Sequence, residues 1–213
     1  MFVSFEGIEG CGKTTQVELL ATFLSQRGIP HLITREPGGT RLGDLIRKML
    51  LDPGNNEMES LTELFLYAAD RAQHIAQVIR PALEARQWLI CDRFADATTA
   101  YQGYGRDQDL AFIQQLNQWA TQGLWPNLSL LLDCPVEVGL HRARRRIENS
   151  ALEGREDRFE QQALDFHQKV RDGYLELAAQ HPERFKILDA TMELEPLHEK
   201  IVAILEPYLE QQS

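Results

Sequence analysis

Apolar residues occur along this chain in two ways, as short unbroken runs and as recurrences every three or four positions. Met1-Phe2-Val3-Ser4-Phe5, His31-Leu32-Ile33-Thr34, Trp88-Leu89-Ile90-Cys91, Leu128 to Leu132 and Phe185-Lys186-Ile187-Leu188 are runs of four or five residues. Such runs predict strands buried on both faces of a parallel sheet. Between them the period lengthens. Val17, Leu20, Ala21 and Leu24 predict a helix closed by Arg27-Gly28, and Leu42, Leu45, Ile46 and Met49 predict a short one stopped by Asp52-Pro53-Gly54. Ser60-Leu61-Thr62-Glu63 has the form of a capping box and predicts a long helix ending near Pro81, with Leu61, Leu64, Phe65, Ala68 and Ala72 as its inward stripe. Ala95 to Gly105 reads as a loop. Leu110, Ile113, Leu116 and Ala120 predict another helix, Pro135 opens the next, Leu164, Val170, Leu175 and Leu177 mark a long one, and Leu197, Ile201, Ile204 and Leu205 mark the last, with Pro196 near its start.

Strands alternating with helices predict an α/β sandwich: a five-stranded, mostly parallel sheet, helices on both faces, ligands at the carboxyl ends of the strands. A chain of 213 residues, 43% hydrophobic, suits a single domain over 1–213 with a full core. A formal net charge of -10 argues against a nucleic-acid partner. Cys11, Cys91 and Cys134 are odd in number and form no CxxC pair, which suits a reducing cytoplasm. No apolar stretch reaches 18 residues, and the opening run reads as a strand rather than a leader, so no membrane partner is expected.

The first strand runs into Gly7-Ile8-Glu9-Gly10-Cys11-Gly12-Lys13-Thr14, which fits GxxxxGK[ST]. The glycines let successive backbone N–H groups turn inward on a polyphosphate, Lys13 adds a point charge, and Thr14 opens a helix whose N-terminus favours an anion and whose hydroxyl can reach Mg²⁺. Asp92, at the end of the third apolar run, stands where a carboxylate can sit by that metal. In the long helix Tyr67, Asp70, Arg71 and His74 fall on one side at i, i+3, i+4 and i+7. That side suits a solvated face, or a surface that holds a base by stacking and by donating to a carbonyl. Arg142, Arg144, Arg145, Arg146, Arg155 and Arg158 form the densest charge. They suit a solvated basic helix end, or an arginine-rich lid over about 144–158 that closes on phosphates.

Beyond the loop, Thr34-Arg35-Glu36-Pro37-Gly38-Gly39-Thr40, Ala68-Ala69-Asp70-Arg71, Asp92-Arg93-Phe94 with Ala100-Tyr101-Gln102-Gly103, and Asp157-Arg158-Phe159-Glu160 follow in order. Together with Phe5 to Gln16 they give the chain a resemblance, over nearly its whole length, to the bacterial type of the thymidylate kinase family. The resemblance implies a P-loop kinase fold and Mg²⁺-dependent transfer of the γ-phosphoryl group of ATP to dTMP, in a homodimer. It assigns Gly7, Gly10, Cys11, Gly12, Lys13, Thr14, Thr15 and Arg144 to ATP, and Thr14 with Asp92 to the metal. Glu9 would hold the acceptor's 3′-hydroxyl, Arg35 and Arg93 its phosphate, and Pro37 would lie against the site. Tyr67, where the family usually has Phe, would stack on thymine. Arg71 would donate to the thymine carbonyl, Thr98 and Gln102 would add polar contacts, and Tyr101 would pack beneath the deoxyribose. Lys13, Arg93, Arg146 and Arg158 (or Arg155) would serve the transferring phosphoryl group. An NKxD motif, as a guanine-nucleotide switch would carry, and an HxxxH-type metal spacing are both missing from the sequence.

Overall fold

The computed structural model describes residues 1–149 and 158–210. Five strands, β1 (Phe2–Glu6), β2 (His31–Arg35), β3 (Trp88–Asp92), β4 (Leu128–Asp133) and β5 (Phe185–Asp189), pair side by side in the order β2-β3-β1-β4-β5. All four pairings are parallel, so the expected mostly parallel sheet is wholly so. β1, β3 and β4 are covered on both faces, which is why they read as unbroken apolar runs; at the edges Ile33 of β2 and Ile187 of β5 are exposed.

Every strand ends on a charged residue: Glu6, Arg35, Asp92, Asp133 and Asp189. Register sets Asp92 between Phe5 and Arg35, so the ends of the first three strands in chain order converge at one edge of the sheet. The larger hydrophobic cluster joins Val3, Phe5, Leu20, Leu24, Ile90 and Leu130 with Val170, Tyr174, Ile201 and Leu205. A second, smaller one joins Phe2, Leu89 and Cys91 with Ile75, Ile79 and Phe94.

Helices α1 (Lys13–Gln26), α2 (Arg41–Leu51) and α3 (Ser60–His74) follow the expected pattern in place, though not in detail. Ser60 is the first helical residue, Glu59 holds the cap position without a side-chain cap bond, and Glu63 is buried. The capping-box reading therefore fails, because Glu63 is drawn into tertiary ion pairs instead of back onto its own backbone. Nor does the helix stop at Pro81. It continues through a π-helical turn (Ile75–Ile79) into α4 (Arg80–Glu84), with Pro81 directly after the π-helical turn. Leu61 and Phe65 of the expected stripe are about half exposed, as are Leu42, Leu45 and Met49 of α2.

A second correction concerns Ala95 to Gly105, which is helical: α5 (Ala95–Thr98) runs into a π-helical segment (Thr99–Gly105). Its glycines serve packing rather than turning. A Cβ on Gly103 would lie 2.5 Å from Leu110 at the start of α6 (Leu110–Thr121), and one on Gly105 2.7 Å from Phe166 in α8 (Leu164–Gln180). Between those two helices lies α7 (Val136–Asn149), and α9 (Leu194–Glu210) closes the described fold. In α8 the buried side is Phe166, His167, Val170, Tyr174 and Leu177, while Leu164 is exposed.

Candidate active site

The loop between β1 and α1 takes the conformation its glycines allow. Gly7, Gly10 and Gly12 have φ of 134°, 70° and 94°. Gly10 is also fixed by contact, since a Cβ there would fall 1.9 Å from the carbonyl oxygen of Gly139 in α7. Lys13 folds back across the loop, donating from Nζ to the carbonyls of Gly7 (3.1 Å) and Ile8 (2.8 Å) and lying 3.4 Å from the buried Cys11 Sγ. Thr14 donates its hydroxyl to Asp92 Oδ2 at 2.7 Å, and Thr15 is exposed beside it. A hydroxyl and a carboxylate side by side at a helix N-terminus fit Mg²⁺, which takes one or two protein oxygens and completes its shell with phosphate and water. A cavity of about 810 Å³ opens beside this pair, lined also by Arg35, Gly39 and Asp44 and extending along β2 to Gln87.

Arg93 stands at the end of β3 with φ of 68°. Its Nη1 donates to Gly7 O (2.8 Å) and meets the Tyr174 hydroxyl (3.2 Å), its Nη2 donates to Glu9 Oε1 (3.0 Å), and its guanidinium lies 4.8 Å over the Tyr101 ring. Tyr101 donates to the same Glu9 oxygen at 2.5 Å. Burial opposes ionisation of Glu9, yet Arg93, His167 and Lys13 together hold its carboxyl well below the usual carboxylate range. Glu9 is therefore an acceptor-only group at neutral pH.

The polar side of α3 is buried, which removes the solvated-face alternative. Asp70 and His74 are fully buried and Arg71 nearly so, with Tyr67 partly buried against the main core. Arg71 donates from Nε to Glu36 Oε2 at 2.8 Å and from Nη1 to Asn117 Oδ1 at 3.0 Å. His74 Nδ1 lies 2.9 Å from Glu36 Oε1, and because a carboxylate can only accept, that nitrogen carries the hydrogen. Its Nε2 lies 2.6 Å from the Thr34 hydroxyl, within hydrogen-bond distance. Burial opposes ionisation of Glu36 as well, but Arg71 and His74 keep its carboxyl below the ordinary range. Asp70 differs: burial, then Glu36, pushes it up to about 7, while its Oδ1 accepts from Gly38 N at 3.0 Å. Pro37, joined to Glu36 by a cis peptide, is buried in this loop, and Arg47 donates to its carbonyl.

Gln102 is buried and donates to Glu63 Oε1 at 2.8 Å; Thr98 is buried, and its hydroxyl has no hydrogen-bond partner among the described residues. Arg35 is more than half exposed, 4.0 Å from Asp44. Of the arginine-rich segment, Arg144 and Arg146 are exposed on the last turns of α7, with Arg146 Nη2 3.4 Å from Glu160 Oε1, while Arg155 lies outside the described residues. Arg158 is buried, paired with Glu63 and donating to the carbonyl of Leu50. The structure thus brings Glu9, Arg93 and Tyr101 together beside the loop, and groups Tyr67, Arg71 and Gln102 through α3 and the segments packed on it. Arg158 shares the carboxylate of Glu63 with Gln102.

Sequence reasoning missed Glu36, Glu63, Asn117, His167 and Tyr174. Each is a polar partner more than 30 positions away from the group it serves, and spacing along one helix cannot register such a pair.

A family profile described as "Thymidylate kinase" matches residues 5–201. A thymidylate kinase of Geotalea uraniireducens (strain Rf4) is 54% identical over 202 residues, covering 95% of this chain and 94% of that protein. One of Geotalea daltonii is 57% identical over 188 residues, with 88% of each chain covered. Among solved structures, the crystal structure of thymidylate kinase from Ehrlichia chaffeensis matches with a TM-score of 0.75 at 32% identity, covering 96% of this chain and 98% of that one.

Proposed function

The chain belongs to the thymidylate kinase family, a nucleoside monophosphate kinase family that transfers the γ-phosphoryl group of ATP to dTMP, giving dTDP for dTTP synthesis, and we propose from that premise how its own residues divide the work. The donor's phosphates lie over Gly7 to Thr15, where backbone N–H groups and the N-terminus of α1 meet them. Lys13 leaves the carbonyls of Gly7 and Ile8 for the β- and γ-phosphate oxygens, exchanging two neutral acceptors for charged ones. Thr14 and Asp92 hold Mg²⁺, whose charge, when bound, offsets that of the phosphates. Arg35 and Arg93 hold the acceptor phosphate. Glu9 takes the sugar hydroxyl, and Tyr101, donating to Glu9, fills the space under the deoxyribose.

Tyr67 stacks on thymine, Arg71 donates to its carbonyl, and Thr98 and Gln102 add the polar contacts, with Pro37 against the pocket wall. Arg144 serves the adenine side. Arg146, on the surface of α7, reaches the transferring phosphoryl group, whereas the buried pairing of Arg158 with Glu63 supports an anchoring role for that arginine. The chemistry asks for positioning and charge neutralisation, since the acceptor phosphate is itself an anionic nucleophile.

We also read the chain as one kinase domain that pairs as a homodimer in the cytoplasm. Leu42, Leu45 and Met49 of α2, Leu61 and Phe65 of α3 and Phe112 of α6 are exposed on packed neighbouring helices, and the rings of Phe65 and Phe112 lie 6.3 Å apart. Apolar surface of that extent supports a self-association face. The three thiols are free and buried, in keeping with a reducing compartment, and among the described residues no helix is long and apolar enough to cross a membrane.

The observation that carries this reading is the meeting, at one sheet edge, of Thr14 with Asp92 and of Glu9 with Arg93 and Tyr101. Its test is ADP formation from MgATP, coupled to NADH oxidation, with dTMP, dUMP, UMP, CMP, AMP and GMP offered separately. Preference for dTMP with weaker use of dUMP is expected. Preference for a purine or for CMP would overturn the roles given to Tyr67, Arg71 and Tyr101.

A further inference from the structure

His167 has no exposed surface and faces the acidic residue of the phosphate-binding loop. Its Nδ1 lies 3.2 Å from Glu9 Oε2, but the two are out of hydrogen-bond alignment. Glu9 Oε2 and both imidazole nitrogens have no hydrogen-bond partner among the described residues, whereas Glu9 Oε1 already accepts from Tyr101 and Arg93. Buried polar atoms without partners are few in folded proteins, and those that face one another beside a site call for a ligand group. Glu9, held ionised, can only accept. An imidazole can donate from one nitrogen. The small group that satisfies an obligate acceptor and a donor together is a hydroxyl, which gives its hydrogen to the first and takes one from the second; a carbonyl or phosphate oxygen would be repelled by Glu9.

We infer that His167 is a specificity-determining residue for the acceptor: with Glu9 it reads a free 3′-hydroxyl on the sugar, donating to the oxygen whose hydrogen Glu9 accepts. This rests on the proposed placement of the acceptor sugar against Glu9. His167 comes from α8, about 158 positions from Glu9, and the two meet because Val170 and Tyr174 of the same helix pack into the core beside β1.

The test compares kcat/KM for dTMP with that for 3′-deoxythymidine monophosphate in the wild type, His167→Phe, His167→Gln and Glu9→Gln. His167→Phe keeps ring volume and removes the donor. It is expected to cut the dTMP preference roughly 5- to 10-fold, mostly through KM for dTMP, the effect of one lost hydrogen bond. His167→Gln, which can still donate, should keep the preference within about 3-fold of wild type. A packing role alone would slow both substrates equally and leave the ratio unchanged, which overturns the inference. Collapse of the ratio in Glu9→Gln without any change in His167→Phe also overturns it, leaving the placement of the sugar intact. An unchanged ratio in Glu9→Gln removes that placement, and the inference with it. Should His167→Phe not fold, imidazole ¹⁵N resonances of the wild type, assigned by their loss in His167→Gln, supply the answer. They should move on addition of dTMP and stay in place with the 3′-deoxy analogue; equal shifts with both would refute the role.

Discussion

The two sides of the cleft that we propose for the donor and for the acceptor are built in opposite ways. The donor side is eight consecutive residues, Gly7 to Thr14, whose conformation is fixed by backbone angles and by close contacts with Gly139 and Leu132, with Thr14 at the surface. The acceptor side is assembled from Glu36, Arg71, His74 and Asn117 in one buried network, and from Glu63, Gln102, Arg106 and Arg158 in another. On the first side the binding groups we propose are backbone amides, the hydroxyl of Thr14 and one buried lysine held on backbone carbonyls. On the second, charged groups are out of water and stay ionised only through one another. The same substitution logic should therefore affect rate on one side and stability on the other.

The largest expected effect is on the acceptor side. Arg71→Ala leaves Glu36 buried without its guanidinium, a change worth roughly 3–5 kcal/mol of stability, or roughly 6–20 °C in Tm by calorimetry. Lys13→Ala comes next in a different currency. It should lower kcat by roughly 10²- to 10³-fold, the scale for removing one preorganised donor from a developing charge, with Tm changed by less than about 2 °C. A large Tm loss in Lys13→Ala, or none in Arg71→Ala, would break the contrast. Discrimination of dTMP from dUMP is a smaller effect, because a pocket that reads one methyl group gains about 1–3 kcal/mol, and kcat/KM should favour dTMP by roughly 10- to 200-fold.

The smallest effect is a pH dependence. Burial, then the nearby Asp96, pushes Glu6 up to about 8 from its ordinary 4.5. Across that interval the folded chain holds a proton that the unfolded chain has released, so this residue's contribution to stability falls as pH rises, and is flat above it. Glu6→Gln, whose amide can accept from Phe94 N–H and meet the Tyr174 hydroxyl, should raise Tm at pH 8.5 and leave it nearly unchanged at pH 4. An equal gain at both pH values would contradict the assignment.

What the sequence revealed divides along the same line. The donor loop was legible because its chemistry is contiguous: glycines for the turn, a lysine and a threonine at fixed offsets, a strand before and a helix after. The sheet was legible because strands covered on both faces carry unbroken apolar runs. The helical state of Ala95 to Gly105 was hidden, since its glycines look like turn formers and their reason, the close approach of Leu110 and Phe166, lies in tertiary packing. Glu63 gave a false capping signal for the same cause: a residue at a helix start can serve the local backbone or distant arginines, and spacing cannot tell which. Tyr67, Arg71 and His74 were found as a face, but whether water or Glu36 met that face depended on a loop some 35 positions earlier.

Glu9 and Arg93 join the two regions, Glu9 as a loop residue bonded to Arg93 and Tyr101 and Arg93 through the carbonyl of Gly7, so the two halves can be tested for independence around them. The most direct measurement is calorimetric titration of MgATP and of dTMP into Lys13→Ala and into Arg71→Lys, which keeps a charge near Glu36 but loses the planar fork. The expected pattern is crossed: Lys13→Ala binds dTMP within about 3-fold of wild type and loses affinity for MgATP by roughly 10-fold or more, while Arg71→Lys does the reverse. If each variant weakens both ligands alike, the donor and acceptor sides are one structural unit and the division drawn between them is wrong.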